Sequence, residues 1–257
     1  VEKPVTKVLP DDGKLYKSIS EQFKRLTGFA DPPAPERGCG AFSEWAYYHY
    51  GRWSFAAPAW YPPAATKVED STDMTISDDP IASERRLLAW TMKNRPQMFV
   101  EWSAIDHPDF PDQKVEIGGF APGAKNPPAD TLAPLADKFS AFFYQLANAL
   151  PKPELQTKVE ACGDKLYRLT ATMVNSGYLP TCCDIGARLK WLRKVKAELI
   201  LSDEQKIISG NRFYLVDKIS AVAVEKSWLV MARRGSTVKI VVASPSVGLV
   251  EKAVKLY

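Results

Sequence analysis

Histidine is scarce in this chain, which has only His49 and His107 among its 257 residues. A catalytic zinc site takes its protein ligands from histidine, cysteine and carboxylate side chains and keeps one position open. Neither histidine is followed by a glutamate three positions later. The sequence therefore predicts no metal ligands and no bound cofactor within this chain.

The second histidine lies between two acids, Asp106 and Asp109, in a stretch stiffened by prolines. An acid–histidine–acid cluster can bind a metal or act as a general base, but it needs further ligands at helical or strand spacing. None is present, so we expect a hydrogen-bonded loop here.

Cysteine is also sparse, with four residues in the whole chain. Cys182 and Cys183 are adjacent, whereas Cys39 and Cys162 lie in different halves. This arrangement has no paired spacing of the zinc type and too few thiols for a disulfide scaffold. We expect buried or unreactive thiols.

Positive charge is in small excess, with 34 basic against 30 acidic residues and a net charge of +4. The excess is scattered, so the sequence predicts no nucleic-acid partner. In the densest basic run, Arg188 to Lys196, charges alternate with leucine, tryptophan and valine. This pattern is typical of a strand with one solvated face.

Long apolar runs are absent, and the longest fall short of the roughly 18 residues that a membrane span needs. The first residues, from Val1 to Val5, include neither an initiator methionine nor the apolar core of a signal peptide. We therefore expect no transmembrane segment, and we expect the chain to lack the natural beginning of a longer protein.

Aromatic residues are abundant in one stretch, Gly38 to Pro63, where ten residues bear rings. Phe42, Trp45 and His49 have the spacing of one helical face, which predicts a short helix at about 41–50. Gly51 is expected to break it, and a buried strand is expected from Trp53 to Ala57. Singly, most of these rings are typical of a core helix and strand.

The order of this stretch resembles the closing part of the zinc metallocarboxypeptidases related to carboxypeptidase A. That family has a glycine–aromatic–acid–Trp–Ala/Ser–Tyr helix followed by a Ser-Phe-x-x-Glu strand. Later stretches resemble its bacterial members, and one resembles the accessory β-domain that follows the catalytic domain in some of them. These later stretches are Phe99 to Trp102 with Asp106 to Pro111, Val115 to Phe120 with Asn126 to Pro128, and Asn175 to Thr181.

The resemblance implies a hydrolase that releases C-terminal residues from peptides or proteins with a zinc-activated water, and a secreted or periplasmic location. It also implies that the helix start lines the pocket for the side chain at the substrate's C-terminus. Carried over residue by residue, the substrate-binding residues would be Gly40, Ser43 and Glu44 on the helix and Ala56 on the strand. The missing N-terminal part of the catalytic domain would be a partner of this chain and would hold the zinc.

The chain departs from the family at the catalytic base. When Ser54 and Phe55 are placed on the family's Ser-Phe, Pro58 stands where the glutamate would be, and proline has no acid–base group. Glu101 and Glu116 are the remaining weak candidates for that role. We expect this chain alone to be inactive.

Two domains are predicted, with the boundary at the proline pair Pro151 and Pro153. Residues 1–150 would form the C-terminal portion of a carboxypeptidase-like α/β domain with a mixed sheet. Apolar spacing predicts helices there at about 12–26, 80–94 and 132–150 and strands at 98–102 and 115–117, the latter turning at Gly118.

Residues 151–257 are predicted to form an all-β antiparallel sandwich that is structural or binding in role. Seven short strands are expected there, with no long helix. They are 155–161, 165–174, 189–201, 206–215, 227–232, 237–243 and 249–256.

Two alternatives to a peptidase remain open. The chain can belong to a non-catalytic relative that binds peptide or glycan, in which Pro58 marks the loss of the base. The β-sandwich can also be a docking module of a larger extracellular protein.

Overall fold

The computed structural model describes residues 5–29, 40–62 and 81–257. They form two compact units, each of which is assembled from separate parts of the chain. The first comprises residues up to Ser20, Gly40–Phe55 and Phe143–Tyr257, and the second comprises the described parts of 21–39 and 56–142. The boundary predicted at 150/151 stays a prediction. The polar stretch 64–79 and the helix start at Asp79 and Pro80 lie outside the described residues.

The described residues form five α-helices, ten strands and two 3-10 helices, at Pro96–Met98 and Ala129–Thr131. The helices are α1 (Pro10–Thr27), α2 (Phe42–Tyr48), α3 (Ala82–Asn94), α4 (Leu132–Asn148) and α5 (Asp184–Arg188). The strands are β1 (Phe99–Ile105), β2 (Val115–Phe120), β3 (Pro153–Gly163), β4 (Leu166–Asn175), β5 (Val195–Ile200), β6 (Lys206–Ser209), β7 (Phe213–Val216), β8 (Val224–Met231), β9 (Thr237–Ser244) and β10 (Gly248–Lys255).

The C-terminal strands of the first unit form two antiparallel sheets in a sandwich-like arrangement, as predicted. One sheet has the order β3-β4-β8-β6 and the other β10-β9-β5-β7. Alternate residues of β4 and β9 are buried, because successive side chains of a strand point to opposite faces. The core between the sheets includes Trp228, Leu169 and Ile240, and burial of each such side chain contributes about 1.5–3 kcal/mol.

The basic run Arg188 to Lys196 is not a single strand, so that prediction is wrong. Helix α5 ends at Arg188, an irregular segment follows, and β5 begins only at Val195. Leu192 in this segment is buried and the neighbouring Trp191 is exposed. The alternation of apolar and charged residues in the sequence therefore reflects the packing of an irregular segment and not a strand. The strand predicted at 206–215 is likewise divided into β6 and β7, because Gly210 turns the chain with a φ of 99°.

Helices α1 and α2 lie close to their predicted bounds. Helix α1 ends before Gly28, which has a φ of 77°. The strand predicted at 53–57 does not form, and this segment has no regular secondary structure. Its polar groups bond to side chains and loops instead: the Ser54 amide donates to the Tyr16 hydroxyl at 3.3 Å. The Trp53 indole donates to the Pro180 carbonyl at 3.1 Å.

The second unit has an aromatic cluster in which Phe23 packs edge-on against Phe139 and Phe142, with ring centroids 5.7 and 5.1 Å away. Its sheet consists of β1 and β2 in antiparallel pairing. The prediction that the strand turns at Gly118 is wrong, because β2 continues to Phe120. Gly118 instead allows close packing, since an added Cβ would lie 2.7 Å from Trp102 Cα. Among the described residues of 1–150, this is the only sheet, and the mixed sheet stays a prediction.

No helix within the described ranges has the length and apolar character that crossing a bilayer requires.

Candidate functional site

Helix α2 begins at a turn that holds three of the four predicted substrate-binding residues. Gly40 has a φ of 87°, in the left-handed region that favours glycine, and an added Cβ would meet nothing within 4 Å. Ser43 and Glu44 follow in the first turn, with Ser43 half-buried and Glu44 exposed. The glycine is therefore needed for the backbone conformation, and the turn beside it is open. Gly38, Cys39 and Pro63 of the same stretch lie outside the described residues.

The other end of α2 is fixed by contact between two glycines. Gly51 has a φ of 67°, and an added Cβ would lie 2.5 Å from Gly186 Cα in α5. An added Cβ on Gly186 would overlap the Gly51 carbonyl oxygen. Because neither position has room for a side chain, α2 and α5 hold each other in one arrangement.

A buried hydrogen-bond network lies under α2. The Tyr47 hydroxyl donates to Asp12 Oδ2 at 2.8 Å and accepts the Leu9 amide at 2.9 Å. The Asp184 amide donates to both carboxylate oxygens of Asp12 at 2.9 Å. Asp184 in turn forms an ion pair with Lys218. The network thus links α1, α2 and α5 and uses its polar atoms internally, so we interpret it as structural.

Burial changes the acidity of the groups in and around this network. Asp12 is 2% exposed, and burial raises its pKa above the ordinary value, against the opposing effect of the amide and hydroxyl donors. Burial also raises the pKa of Tyr47, and it raises the pKa of Tyr16 to about 12. The nearby thiols have pKa values raised by burial to about 11 for Cys182 and about 12 for Cys183. These thiols are therefore protonated and unreactive at neutral pH.

The outer side of α2 bears a row of exposed aromatic rings. Phe42 lies 5.8 Å from Trp45, and Trp45 is stacked on Tyr50 at 5.5 Å with an interplanar angle of 11°. The Arg52 guanidinium lies 5.7 Å from the Tyr50 ring centroid. Phe42, Trp45 and Tyr50 are 75%, 48% and 48% exposed, so the row is available to a ligand.

An additional exposed ring is fixed at the end of α2. Trp191 is 66% exposed, and its indole nitrogen donates to the His49 carbonyl at 2.9 Å. Trp191 was not singled out from the sequence, because its position depends on the irregular segment before β5. His49 itself is exposed.

Ala56 and Pro58, which the resemblance places on the family's strand, belong to the second unit. Both are exposed and lie in a segment without regular structure, so neither is on a strand. Proline offers no acid–base group at the position where the family has its glutamate.

The two weak candidates for a base also belong to the second unit. Glu101 is exposed on β1. Glu116 is exposed on β2, opposite Ala104, and forms an ion pair with Lys114 at 2.7 Å. The structure places both acids on the β1–β2 sheet, and Glu116 has a surface lysine as its partner.

The acid–histidine–acid cluster is a hydrogen-bonded loop, as predicted. His107 Nδ1 accepts the Asp109 amide at 3.2 Å, and the Phe110 amide donates to the His107 carbonyl at 3.0 Å. Within residues 5–29, 40–62 and 81–257, no three histidine, cysteine or acidic side chains come together as a possible metal site.

Comparison with known proteins finds a family model that is similar to the sandwich. Residues 154–255 match the family described as "Domain of unknown function (DUF8731)". This match covers the strands of the sandwich and less than half of the chain. No curated protein matches the chain.

Proposed function

We propose that this chain is part of a zinc carboxypeptidase-like protein, in which it helps to bind the C-terminal end of a peptide or protein. The observation that carries the proposal is the arrangement at the start of α2. Ser43 and Glu44 follow a left-handed Gly40 in an open turn, and the glycine contact at Gly51 fixes the helix. The family-like motif needs these residues in this order.

The same proposal accounts for apolar side chains on the β1–β2 sheet. Val100, Trp102 and Ile117 are 51%, 62% and 51% exposed. A two-stranded sheet is marginal in water and gains stability when further strands or a helix cover its apolar side chains. The rest of a mixed α/β domain would cover these side chains. We propose that the complete protein is secreted or periplasmic.

The chemistry of the α2 turn favours a cationic side chain at the substrate's C-terminus. Glu44 provides an exposed carboxylate, and the neighbouring Trp45 provides an exposed ring. A guanidinium can form an ion pair with the first and stack on the second. We therefore propose peptides that end in arginine or lysine as the preferred ligands.

Zinc is the cofactor that the resemblance implies, and the donors among residues 5–29, 40–62 and 81–257 do not form a site for it. His107 already accepts a loop amide through Nδ1, and the Asp109 carboxylate is 3.9 Å from that nitrogen. No third donor joins these two among the described residues. We therefore derive no catalytic step through zinc from these residues. The proposed role of this chain is to bind and orient substrate.

A second candidate function is non-catalytic binding of peptide by the complete protein. Pro58 favours it, because proline at the position of the general base removes the group that would take a proton from the attacking water. In that case the α2 surface would bind the same C-terminal ends without their release.

The test is binding of fluorescent peptides that end in arginine, with either a free C-terminal carboxylate or an amide. We expect the amide to bind at least about tenfold more weakly, since recognition of a C-terminus depends on the carboxylate. Glu44→Lys removes an exposed attraction of about 0.5–1 kcal/mol and adds a repulsion of about the same size. The affinity for these peptides should therefore fall roughly five- to thirtyfold.

Glu204→Lys is the matched control, since Glu204 is exposed in the sandwich, in the turn before β6. It should leave binding unchanged. Equal binding of acid and amide peptides, together with no effect of Glu44→Lys, would contradict the proposal.

A further inference from the structure

A surface groove of about 650 Å³ lies beside β7 in the sandwich. Four consecutive residues line it, from Leu215 at the end of β7 to Lys218 just after it. Successive side chains of a strand point to opposite faces of the sheet. Consecutive residues can therefore line the same groove only where the groove lies along the edge of the strand. β7 is the outermost strand of its sheet. The groove therefore borders an edge strand, and the free side of β7 can accept a further strand along Phe213–Val216. Beyond β7, the Asp217 carbonyl already accepts the Cys182 thiol at 3.4 Å.

The opposite wall of the groove carries positive charge. Arg188 at the end of α5 is exposed, and Lys226 of β8 lies with its Nζ 5.3 Å from the Tyr214 ring centroid. The ion pairs among the described residues include neither of these two cations. The two acids in the groove are already paired, Asp184 with Lys218 and Asp217 with Lys194.

A neighbouring groove of about 440 Å³ shares Leu215 and extends the basic surface. Its lining includes the exposed ring of Trp191 and four more cations, of which Lys194 is paired with Asp217 and Lys196 with Glu198 at 2.6 Å. The cations are Lys190, Arg193, Lys194 and Lys196. The excess positive charge, which is spread along the sequence, is therefore concentrated around this edge of the sandwich.

We propose that the β7 edge is a docking site for an extended acidic peptide segment, which adds to the sheet as a strand beside β7. The open edge supplies backbone hydrogen bonds, and Arg188 and Lys226 supply charge complementarity to acidic side chains. Leu215, 57% exposed, offers an apolar contact for one valine side chain of the peptide. This site is separate from the α2 turn and does not depend on the function proposed for that turn.

The probe is a labelled peptide of about six residues, the usual length of a strand, with alternating glutamate and valine. Both ends are capped, so that the peptide cannot bind as a C-terminus at α2. We expect saturable binding by fluorescence anisotropy that weakens between about 50 mM and about 300 mM salt. N-methylation of every second amide, in the register that faces β7, should reduce the affinity at least about tenfold by removing the strand hydrogen bonds.

Two variants test the location. Arg188→Glu with Lys226→Glu should weaken binding at least about tenfold, whereas Lys206→Glu with Arg234→Glu, the same change of charge on another part of the sandwich, should weaken it less than about threefold. Ala187→Trp fills the groove without a change of charge and should also block the peptide. Circular dichroism establishes that each variant is folded.

Several results would overturn the proposal. If N-methylated and unmodified peptides bind equally and a single-stranded oligonucleotide displaces both, the site is a general polyanion-binding surface. A concentration-dependent dimer that the Ala187→Trp variant abolishes would show that a second copy of the chain occupies the edge. Absence of binding, or binding that Ala187→Trp leaves intact, would show that the β7 edge is not a peptide site.

Discussion

Replacement of Tyr47 by phenylalanine removes one hydroxyl from the buried network under α2 and keeps the ring. The hydroxyl donates to Asp12 at 2.8 Å and accepts the Leu9 amide at 2.9 Å. Tyr47 is 3% exposed, so water cannot take the place of the lost group without a rearrangement. The substitution therefore leaves a buried carboxylate with one donor fewer and an amide without its acceptor.

The expected loss follows from these two interactions. A hydrogen bond to a charged group contributes about 1.5–3 kcal/mol, and an unsatisfied backbone donor costs about 1–3 kcal/mol more. Because some relaxation is expected, we predict a decrease of about 2–4 kcal/mol in the free energy of unfolding. Urea unfolding followed by circular dichroism measures it, with a slope of about 2–3 kcal/mol per molar that should stay unchanged.

Tyr178→Phe is the matched control, because it removes a hydroxyl that donates to Ser18 at 2.8 Å on the surface. Tyr178 is 49% exposed, so water replaces the lost partner and the change should stay within about 0.5 kcal/mol. If Tyr47→Phe destabilises no more than Tyr178→Phe, the network does not hold α1, α2 and α5 together and our interpretation of it is wrong.

Two further predictions concern titration and thiol chemistry in the same region. Burial raises the pKa of Asp12, so the stability it contributes is fully present below its ordinary pKa and is lost as pH rises through the folded-state value. The free energy of unfolding of the wild type relative to Asp12→Asn should therefore fall as pH rises from below the ordinary aspartate pKa of about 3.9. A constant or rising difference would contradict this assignment. Iodoacetamide near neutral pH should label the exposed Cys162 well before Cys182 and Cys183, because the raised pKa values of the buried pair leave little thiolate. Peptide mapping by mass spectrometry measures the order of labelling. Faster labelling of the buried pair would refute the prediction.

Regular amphipathic elements were predictable from sequence because their period directly reflects the buried face. Helix α1 and strands β4 and β9 lie close to their predicted bounds, since each buries a continuous apolar stripe or alternation. The segment before β5 was not predictable in this way. Leu192 is buried because an irregular loop packs there. In the sequence, its alternation with charged residues looks the same as that of a half-buried strand.

The candidate site was predictable only in part. The motif located Gly40, Ser43 and Glu44, and the structure shows that they share one turn. The network of Asp12, Tyr47 and Asp184 was missed, because its members are separated by 35 and 172 residues and no local pattern links them. Asp12 carries a local signal only as a possible helix cap.

The groove beside β7 illustrates a second kind of limit. The basic residues of this groove and its neighbour come from α5, the irregular segment, β5, β8 and the segment after β7, and they become neighbours only when the sandwich forms. In sequence they are scattered among acids, some of which turn out to be their ion-pair partners. The local concentration of charge is thus a property of the fold.

The most direct test of the account measures zinc content and release of C-terminal residues, in parallel, on this 257-residue chain and on the complete gene product. From the proposed function we expect about one zinc per complete molecule and trimming of arginine-ended peptides, with neither property in this chain alone. A complete protein that binds these peptides without trimming them would favour the non-catalytic candidate. Stoichiometric zinc bound by this chain alone would contradict our assignment of His49 and His107 and the division of roles proposed here.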